Sequence, residues 1–167
     1  MPTTPSKPIS ASRITLVQMM VNEHANLHGN VHGGVIMKLC DEAGGFAAMR
    51  HAGRPCVTVF IDSMEFYEPV HVGELLRITA EPSWVGRTSI ECEVVVEAEN
   101  VMSGQRLETN RAYFVYVALD DRGRPVPVPT LECDTDAQRR RMEQGEARRQ
   151  YRLKKRAERE AEKSAHP

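Results

Sequence analysis

The sequence lacks the features that mark membrane-spanning, secreted and metal-binding proteins. It contains no run of about 18 apolar residues, so it predicts no helix that crosses a membrane. Its N-terminal stretch, MPTTPSKPIS, has no apolar segment of the kind that a secretory signal peptide needs. The 4 cysteines are far apart and form no C-x-x-C pair, which disfavours a zinc site or a redox motif. We therefore expect a cytoplasmic protein with reduced thiols and no bound metal.

A large net charge is also missing, but the charge is unevenly distributed. The formal net charge is -1. Residues 134–167 carry 11 Lys and Arg against 7 Asp and Glu, whereas residues 1–133 carry 11 against 16. We expect a flexible N-terminal arm over residues 1–11, one domain over residues 12–132 and a charged, helical tail over residues 133–167. The tail has no sustained apolar stripe, which predicts a solvated helix, with contact to nucleic acid or phosphate as the alternative.

The hydrophobic pattern of the body indicates one helix among five strands. The segment TSIECEVVVEAE alternates apolar residues with Glu91, Glu93, Glu97 and Glu99, which predicts a strand with one solvated face. Pro82 predicts a bulge or an edge position in the preceding strand. One helix against one antiparallel sheet, in the order β-α-β-β-β-β, is an α+β fold. The predicted strands cover residues 12–21, 55–62, 74–85, 88–99 and 110–120, and the predicted helix covers residues 33–51.

The predicted helix carries a carboxylate in unusual surroundings. At 100° per residue, its core face comprises Val35, Ile36, Leu39, Ala43, Phe46 and Ala47. Asp41 lies on nearly the opposite side, beside Met37, Gly44, Gly45 and Ala48. Each glycine in a helix interior costs roughly 1 kcal/mol relative to alanine, so we expect a bulky group, either partner backbone or ligand, to approach closely there. A helix that is apolar nearly all round also predicts that a second subunit covers it.

The residues before the helix provide a complementary group. His32, Gly33 and Gly34 stand where the helix begins. A helix N-terminus presents unpaired N–H groups and a positive dipole end, and glycines let another molecule approach them. Such a place suits a carbonyl oxygen that gains negative charge, and Asp41 follows in the same short segment. The combination predicts acyl transfer or hydrolysis, with a structural ion pair as the alternative role of Asp41.

The run NLHGNVHGGVIMKLCDEAGG resembles the active-site segment of hotdog-fold acyl-CoA thioesterases, and in particular the cytosolic acyl-CoA hydrolase group with its brain-type and bacterial members. The similarity continues through VTVFIDSMEFYEPVHVGE, VGRTSIE and RAYFVYVALDDRGRPVPVP, over about residues 12–131. The resemblance implies a hotdog fold, in which an antiparallel sheet wraps one long helix, and hydrolysis of acyl-CoA to fatty acid and CoA. It implies no metal or organic cofactor. It also implies a dimer at minimum, grouped into a trimer of dimers, with no membrane or nucleic-acid partner.

The resemblance assigns roles to single residues. Asp41 matches the catalytic carboxylate, which acts as a general base on water or attacks the thioester directly. Asn26 matches the asparagine that holds the water or thioester and faces the aspartate of the other subunit. Gly33 and Gly34 match the turn whose N–H groups polarise the thioester carbonyl. A turn residue is the alternative role of Asn26, because asparagine favours turns.

The resemblance also suggests where the CoA nucleotide binds. Arg87, Thr88 and Ser89 match this site, and guanidinium and hydroxyl groups suit phosphate oxygens. The alternative for these three residues is a plain strand start.

The alternatives to a hotdog thioesterase are a non-catalytic sensor, a dehydratase and an α/β-hydrolase. A non-catalytic acyl-CoA sensor on the same fold would need neither Asp41 nor Asn26. A hotdog dehydratase relies on a histidine base, and His32 is the only candidate near the helix, in a sequence that does not resemble the dehydratase pattern. An α/β-hydrolase is excluded because the sequence has no G-x-S-x-G motif.

Overall fold

The computed structural model describes residues 5–165, which contain seven strands and two α-helices. Short 3-10 turns at Ser10–Ser12 and Asn22–His24 flank the second strand. In chain order the elements are β1 (Ser6–Pro8), β2 (Ile14–Met19), α1 (Gly33–Ala52), β3 (Cys56–Phe66), β4 (Leu75–Val85), β5 (Ser89–Glu99), β6 (Arg106–Ala118), β7 (Thr130–Glu132) and α2 (Asp136–Ala165).

Five of the strands form one antiparallel sheet against which α1 packs. Their order is β2-β4-β5-β6-β3, so β2 and β3 are the edge strands. This arrangement confirms the predicted α+β class and the order β-α-β-β-β-β. The register between β4 and β5 shifts between Pro82 and Trp84, so the predicted bulge is present. Neither helix in residues 5–165 combines the length and apolarity needed to cross a membrane.

The buried face of α1 is displaced from the predicted one. Four predicted core residues are buried, but Phe46 is 45% exposed and its assignment to the core is wrong. The buried arc extends instead towards Gly44, because that glycine lets α1 lie directly on the ring of Tyr116. A Cβ atom at Gly44 would lie 3.1 Å from Cζ of Tyr116. The bulky neighbour of the glycine is therefore a side chain of the same chain. The buried residues of α1 are Ile36, Leu39, Cys40, Ala43, Gly44, Ala47, Ala48 and His51.

The second face of the sheet is covered as well, which corrects two predictions. Glu91 and Glu93 are 0% and 3% exposed, although the alternation of β5 predicted a solvated face. The tail is helical from Asp136, but between Arg141 and Arg152 it packs over this face and is not solvated there. The physical reason is that arginines of α2 pair with glutamates of the sheet, a match that hydrophobic periodicity does not reveal.

Residues 6–9 of the predicted N-terminal arm are ordered, so the prediction of a flexible arm is wrong for these residues. Ser6–Pro8 pairs in parallel with Thr130–Glu132, and Ile9 is only 2% exposed. Residues 1–4 of the predicted arm lie outside the described residues. The pairing was invisible in the sequence because the partner strand lies more than 120 residues along the chain.

His51 joins these terminal segments to the end of α1. Its side chain is 1% exposed, with Nδ1 at 3.1 Å from Ser12 Oγ and Nε2 at 2.9 Å from the carbonyl oxygen of Pro129. Burial lowers the pKa of His51, although the bond to Pro129 partly opposes that effect. The neutral ring can accept from the Ser12 hydroxyl at Nδ1 while it donates to the Pro129 carbonyl from Nε2.

Candidate active site

Asp41 lies at the border of the buried face of α1, where two strands bring hydroxyl groups to it. Thr58 of β3 donates a hydrogen bond from Oγ1 to Asp41 Oδ1 at 2.7 Å. Tyr116 of β6 donates from its hydroxyl to the backbone oxygen of Asp41 at 3.0 Å. Thr58 and Tyr116 are direct partners in the ladder between β3 and β6, so the register of these strands places both donors together. Sequence reasoning missed both residues.

Asp41 is held by neutral donors and not by a cation. Among the described residues, no Lys, Arg or His forms an ion pair with it. This geometry disfavours the alternative in which Asp41 serves only as a structural ion-pair partner. A carboxylate without a cationic partner is available to accept a proton or attack a carbonyl carbon.

Two titratable groups next to Asp41, the Tyr116 phenol and the Cys40 thiol, both have raised pKa values. Burial raises the pKa of Tyr116 far above its ordinary value, and Cys92 and Asp41 raise it further, so the phenol remains a donor. Burial, with a smaller effect of Asp41, raises the pKa of Cys40 to about 12. A thiol in that state is a poor nucleophile at neutral pH.

The start of α1 carries the second predicted group. His32 caps the helix, because its Nδ1 accepts a hydrogen bond from the amide of Gly34 at 3.0 Å. The amide of Gly34 is therefore already engaged, and that of Gly33 is the better donor for a ligand. Gly33 lines a cavity of about 390 Å³ together with Asn26, Ile36, Phe66 and Val70. A Cβ at Gly33 would lie 3.3 Å from the Phe66 ring, so the cavity wall fits a glycine here.

Asn26 organises the loop before α1 and borders the same cavity. Its Oδ1 accepts from the backbone amides of His28 at 2.8 Å and Asn30 at 3.3 Å. These are the contacts of the turn residue that the sequence allowed as the alternative. The side chain of Asn26 makes no hydrogen bond to Asp41 within one chain.

Two parts of the predicted site do not meet within one chain. Gly33 and Asp41 are eight residues apart on the same helix, which separates them by about 12 Å along its axis. One thioester carbonyl cannot contact both groups over this distance, since hydrogen bonds require about 3 Å. This separation agrees with the expectation from the resemblance that Asn26 faces the aspartate of another subunit, and the composition of the site stays a prediction.

Arg87, Thr88 and Ser89 form the turn between β4 and β5 and the first residue of β5. Arg87 is exposed and so accessible to an anionic ligand. Ser89 is the ladder partner of Val117, which on its other side pairs with Val57 of β3. The turn thus lies at the end of the sheet where β3 begins, near Thr58. Binding of the CoA nucleotide by this turn stays a prediction.

Metal ligation has no clear candidate in residues 5–165. No group of three or more His, Cys, Asp or Glu side chains comes together there as a metal site would require.

The architecture places the chain in the hotdog class, because one long helix lies against a five-stranded antiparallel sheet. The family model described as thioesterase superfamily matches residues 28–105. A Bacillus subtilis protein named as an uncharacterized acyl-CoA thioester hydrolase is 32% identical over 131 residues, which is 78% of this chain and 73% of the relative. The chain therefore belongs to the thioesterase superfamily, as its sequence resemblance predicted.

Mammalian and structural relatives agree with this assignment. The cytosolic acyl coenzyme A thioester hydrolase of Rattus norvegicus is 34% identical over 142 residues, or 84% of this chain. The chain spans only 37% of the length of that relative. A crystal structure of an apo-hexameric acyl-CoA thioesterase has a TM-score of 0.88 and 33% identity, and the match covers 92% of this chain and 98% of that one. The Staphylococcus aureus acyl-CoA hydrolase in complex with butyryl coenzyme A has a TM-score of 0.89 and 28% identity, with coverage of 96% and 98%.

Proposed function

We propose that the protein is an acyl-CoA thioesterase, which hydrolyses the thioester of acyl-CoA to a free fatty acid and CoA. The observation that carries the proposal is the Asp41 carboxylate, which Thr58 orients and which no cation among the described residues neutralises. The names of the relatives support it, since they are acyl-CoA thioester hydrolases, and one neighbour was solved with butyryl coenzyme A. The relative named as cytosolic supports a cytoplasmic location.

In this mechanism Asp41 removes a proton from water, whose oxygen attacks the thioester carbonyl carbon. In the alternative, Asp41 itself attacks that carbon, and after CoA has left, water hydrolyses the resulting mixed anhydride to release the fatty acid and restore the carboxylate. The Gly33 amide at the positive end of α1 stabilises the negative charge that develops on the carbonyl oxygen. The carbon–sulfur bond then breaks, and the CoA sulfur leaves as a thiolate that takes up a proton. A thioester is an activated acyl group, so this machinery needs no metal or organic cofactor.

We further propose that two chains share each site, with Asp41 of one chain facing Gly33 and Asn26 of a second. The separation of about 12 Å along α1 supports this, because a single chain cannot place both groups on one carbonyl. The edge strand β3 also supports it. Val57, Val59, Phe60 and Ile61 on this strand are 41–52% exposed, and an exposed apolar edge invites pairing with another chain. A trimer of such dimers is supported by the hexameric neighbour.

The CoA nucleotide belongs at the turn formed by Arg87, Thr88 and Ser89 in this proposal. The exposed guanidinium of Arg87 suits the phosphate groups, and the turn lies at the end of the sheet where β3 begins. The exposed residues of β3 would then border the pantetheine arm.

Release of free thiol from short-, medium- and long-chain acyl-CoAs tests the function. Asp41→Asn keeps an oxygen that accepts from Thr58 but removes the charge, so we expect turnover to fall by about 100-fold or more. Glu42→Gln changes the neighbouring carboxylate, which pairs with Lys38 on the surface, and should keep wild-type turnover. Full activity of Asp41→Asn would contradict the proposal. Binding of acyl-CoA by the wild type without thiol release would favour the sensor alternative.

Subunit complementation tests the shared site. The single variants Asp41→Asn and Asn26→Ala should each be nearly inactive. When the two are co-expressed, half of the dimers are mixed, and each mixed dimer contains one intact site. We expect about a quarter of wild-type activity, because the two-fold symmetry of a dimer generates two sites. Sites built within single chains would give no recovery.

A further inference from the structure

Four charged residues connect α2 to the edge strand β3, and they are called here the clasp: Asp62, Glu91, Arg148 and Arg152. Arg152 Nη1 lies 2.7 Å from Asp62 Oδ2 and 2.8 Å from Glu91 Oε2. Arg148 donates to Glu91 Oε1 at 2.7 Å from Nη2. The Glu91 side chain is fully buried, and those of Asp62 and Arg152 are each 14% exposed. The clasp is thus shielded from water, where ion pairs are strong and directional.

The clasp holds β3 at an irregular point. The register between β3 and β6 shifts between Thr58 and Phe60 and again between Ile61 and Ser63, which leaves Val59 and Asp62 as the unpaired residues. Such bulges redirect side chains. Thr58 consequently points to Asp41 on α1, whereas Asp62 points to Arg152 on the opposite face of the sheet.

Within one chain, β3 has a neighbouring strand on one side only, since it is the edge strand beside β6. Its bulged segment, residues 58–63, therefore has fewer ladder contacts than a central strand. Arg152 supplies a second attachment, because it ties Asp62 to the buried Glu91 of β5. It also lies over the ring of Phe60, 6.0 Å from its centroid.

We propose that Arg152 is a positioning residue for Asp41. By holding Asp62 it fixes the bulged segment of β3, and thereby keeps the Thr58 hydroxyl at hydrogen-bond distance from the Asp41 carboxylate. The inference rests on the proposed function, in which Asp41 is the catalytic carboxylate. Without Arg152, Asp62 keeps only the more distant Arg148, at 4.0 Å, as a cationic neighbour. The bulged segment of β3 is then held less firmly, and Thr58 moves with it.

Arg141 provides a matched control on the same helix. It also bridges two buried carboxylates, Glu81 and Glu93, but these lie on β4 and β5 and not on the edge strand. Arg141→Gln and Arg152→Gln each remove one largely buried guanidinium that docks α2 on the sheet. A role confined to docking α2 would make the two variants equivalent.

The test compares kcat and KM for thiol release. We expect Arg152→Gln to lower kcat by on the order of 10- to 100-fold with little change in KM, because a displacement of about 1 Å at a reacting group has an effect of this size. Arg141→Gln should retain the wild-type kcat. Arg152→Lys, which keeps the positive charge, should have a kcat between those of Arg152→Gln and the wild type. In a Thr58→Val background, Arg152→Gln should cause no further loss, since both act on the same hydrogen bond.

Other outcomes would overturn the inference. Wild-type kcat in Arg152→Gln, equal losses in both arginine variants, or a loss that adds to that of Thr58→Val would each do so. If Arg152→Gln does not fold, Asp62→Ala releases β3 from its other side and should lower kcat in the same way. If the wild type is active and Asp41→Asn loses turnover while Arg152→Gln keeps it, only this inference is overturned. A wild type that releases no thiol would remove the proposed function with it.

Discussion

The two faces of the sheet are built by opposite principles although both lie under a helix. The face under α1 buries aliphatic and aromatic side chains such as Ile78, Val94 and Phe114. The face under α2 buries the carboxylates of Glu91 and Glu93, each paired with arginines. Alternate residues of the same strand β5 serve the two faces. Apolar contact depends on area and tolerates sliding, whereas buried ion pairs must match atom by atom. The charged face therefore specifies where α2 lies.

Glu93 illustrates how the charged face is balanced. Burial by itself would raise the pKa of this carboxyl, but hydrogen bonds from Tyr113, Arg141 and Arg111 outweigh burial and lower it. Glu93 is therefore ionised at neutral pH inside the protein. Each of these partners is needed for stability, because a buried charge without a partner is strongly destabilising.

The largest effect is expected on the apolar face. Phe114 is fully buried and stacks on Tyr116, with ring centroids 6.3 Å apart. Phe114→Ala should lower the free energy of unfolding by about 4 kcal/mol, because it removes apolar contacts and leaves a cavity. Urea denaturation monitored by circular dichroism measures this loss. A loss under about 1 kcal/mol would contradict the view that this face provides the main stability.

A single substitution on the charged face should lower the free energy of unfolding somewhat less than Phe114→Ala does. Replacing both partners of an ion pair should lower it much less. Glu91→Ala leaves Arg148 and Arg152 without their buried partner, and we expect a loss of about 3 kcal/mol. Replacing Glu91 and Arg148 together by leucine restores an apolar contact, so the double variant should be within about 1 kcal/mol of wild type. Denaturation of the three proteins checks this contrast. Equal losses in the single and double variants would show that the two faces stabilise by the same principle.

A smaller, pH-dependent effect on stability is expected at His51, the buried histidine of α1. Burial lowers its pKa below the ordinary value of 6.5, so below that pH the unfolded chain binds more protons than the folded one. The contribution of His51 to stability is therefore complete above pH 6.5 and is lost as the pH falls through the lower folded pKa. In His51→Gln this loss of stability with falling pH should disappear. Urea denaturation curves measured at several pH values, from above pH 6.5 downwards, check this. His28→Gln, at an exposed histidine, is the control and should behave as wild type does.

Much of the fold could be predicted because its signals are local. The helix was expected over residues 33–51 and covers Gly33–Ala52, since the glycines and the period of 3.6 residues act within a few turns. The alternation of β5 likewise predicted its strand. Phe46 was misplaced because the helical wheel does not reveal how far α1 rotates towards the ring of Tyr116. The carboxylate Asp41 was found, but its hydroxyl donors Thr58 and Tyr116 depend on strand register, which no short window of sequence contains.

Local sequence patterns predict the order of the strands and the helix, the position of Asp41 on α1 and the glycine-rich start of that helix. These follow from backbone preferences and hydrophobic periods, which are properties of neighbouring residues. Only tertiary contacts establish which face of α1 is buried and that Glu91 lies beneath α2. Those outcomes depend on contacts between residues distant in sequence, where geometry and charge pairing outweigh local pattern.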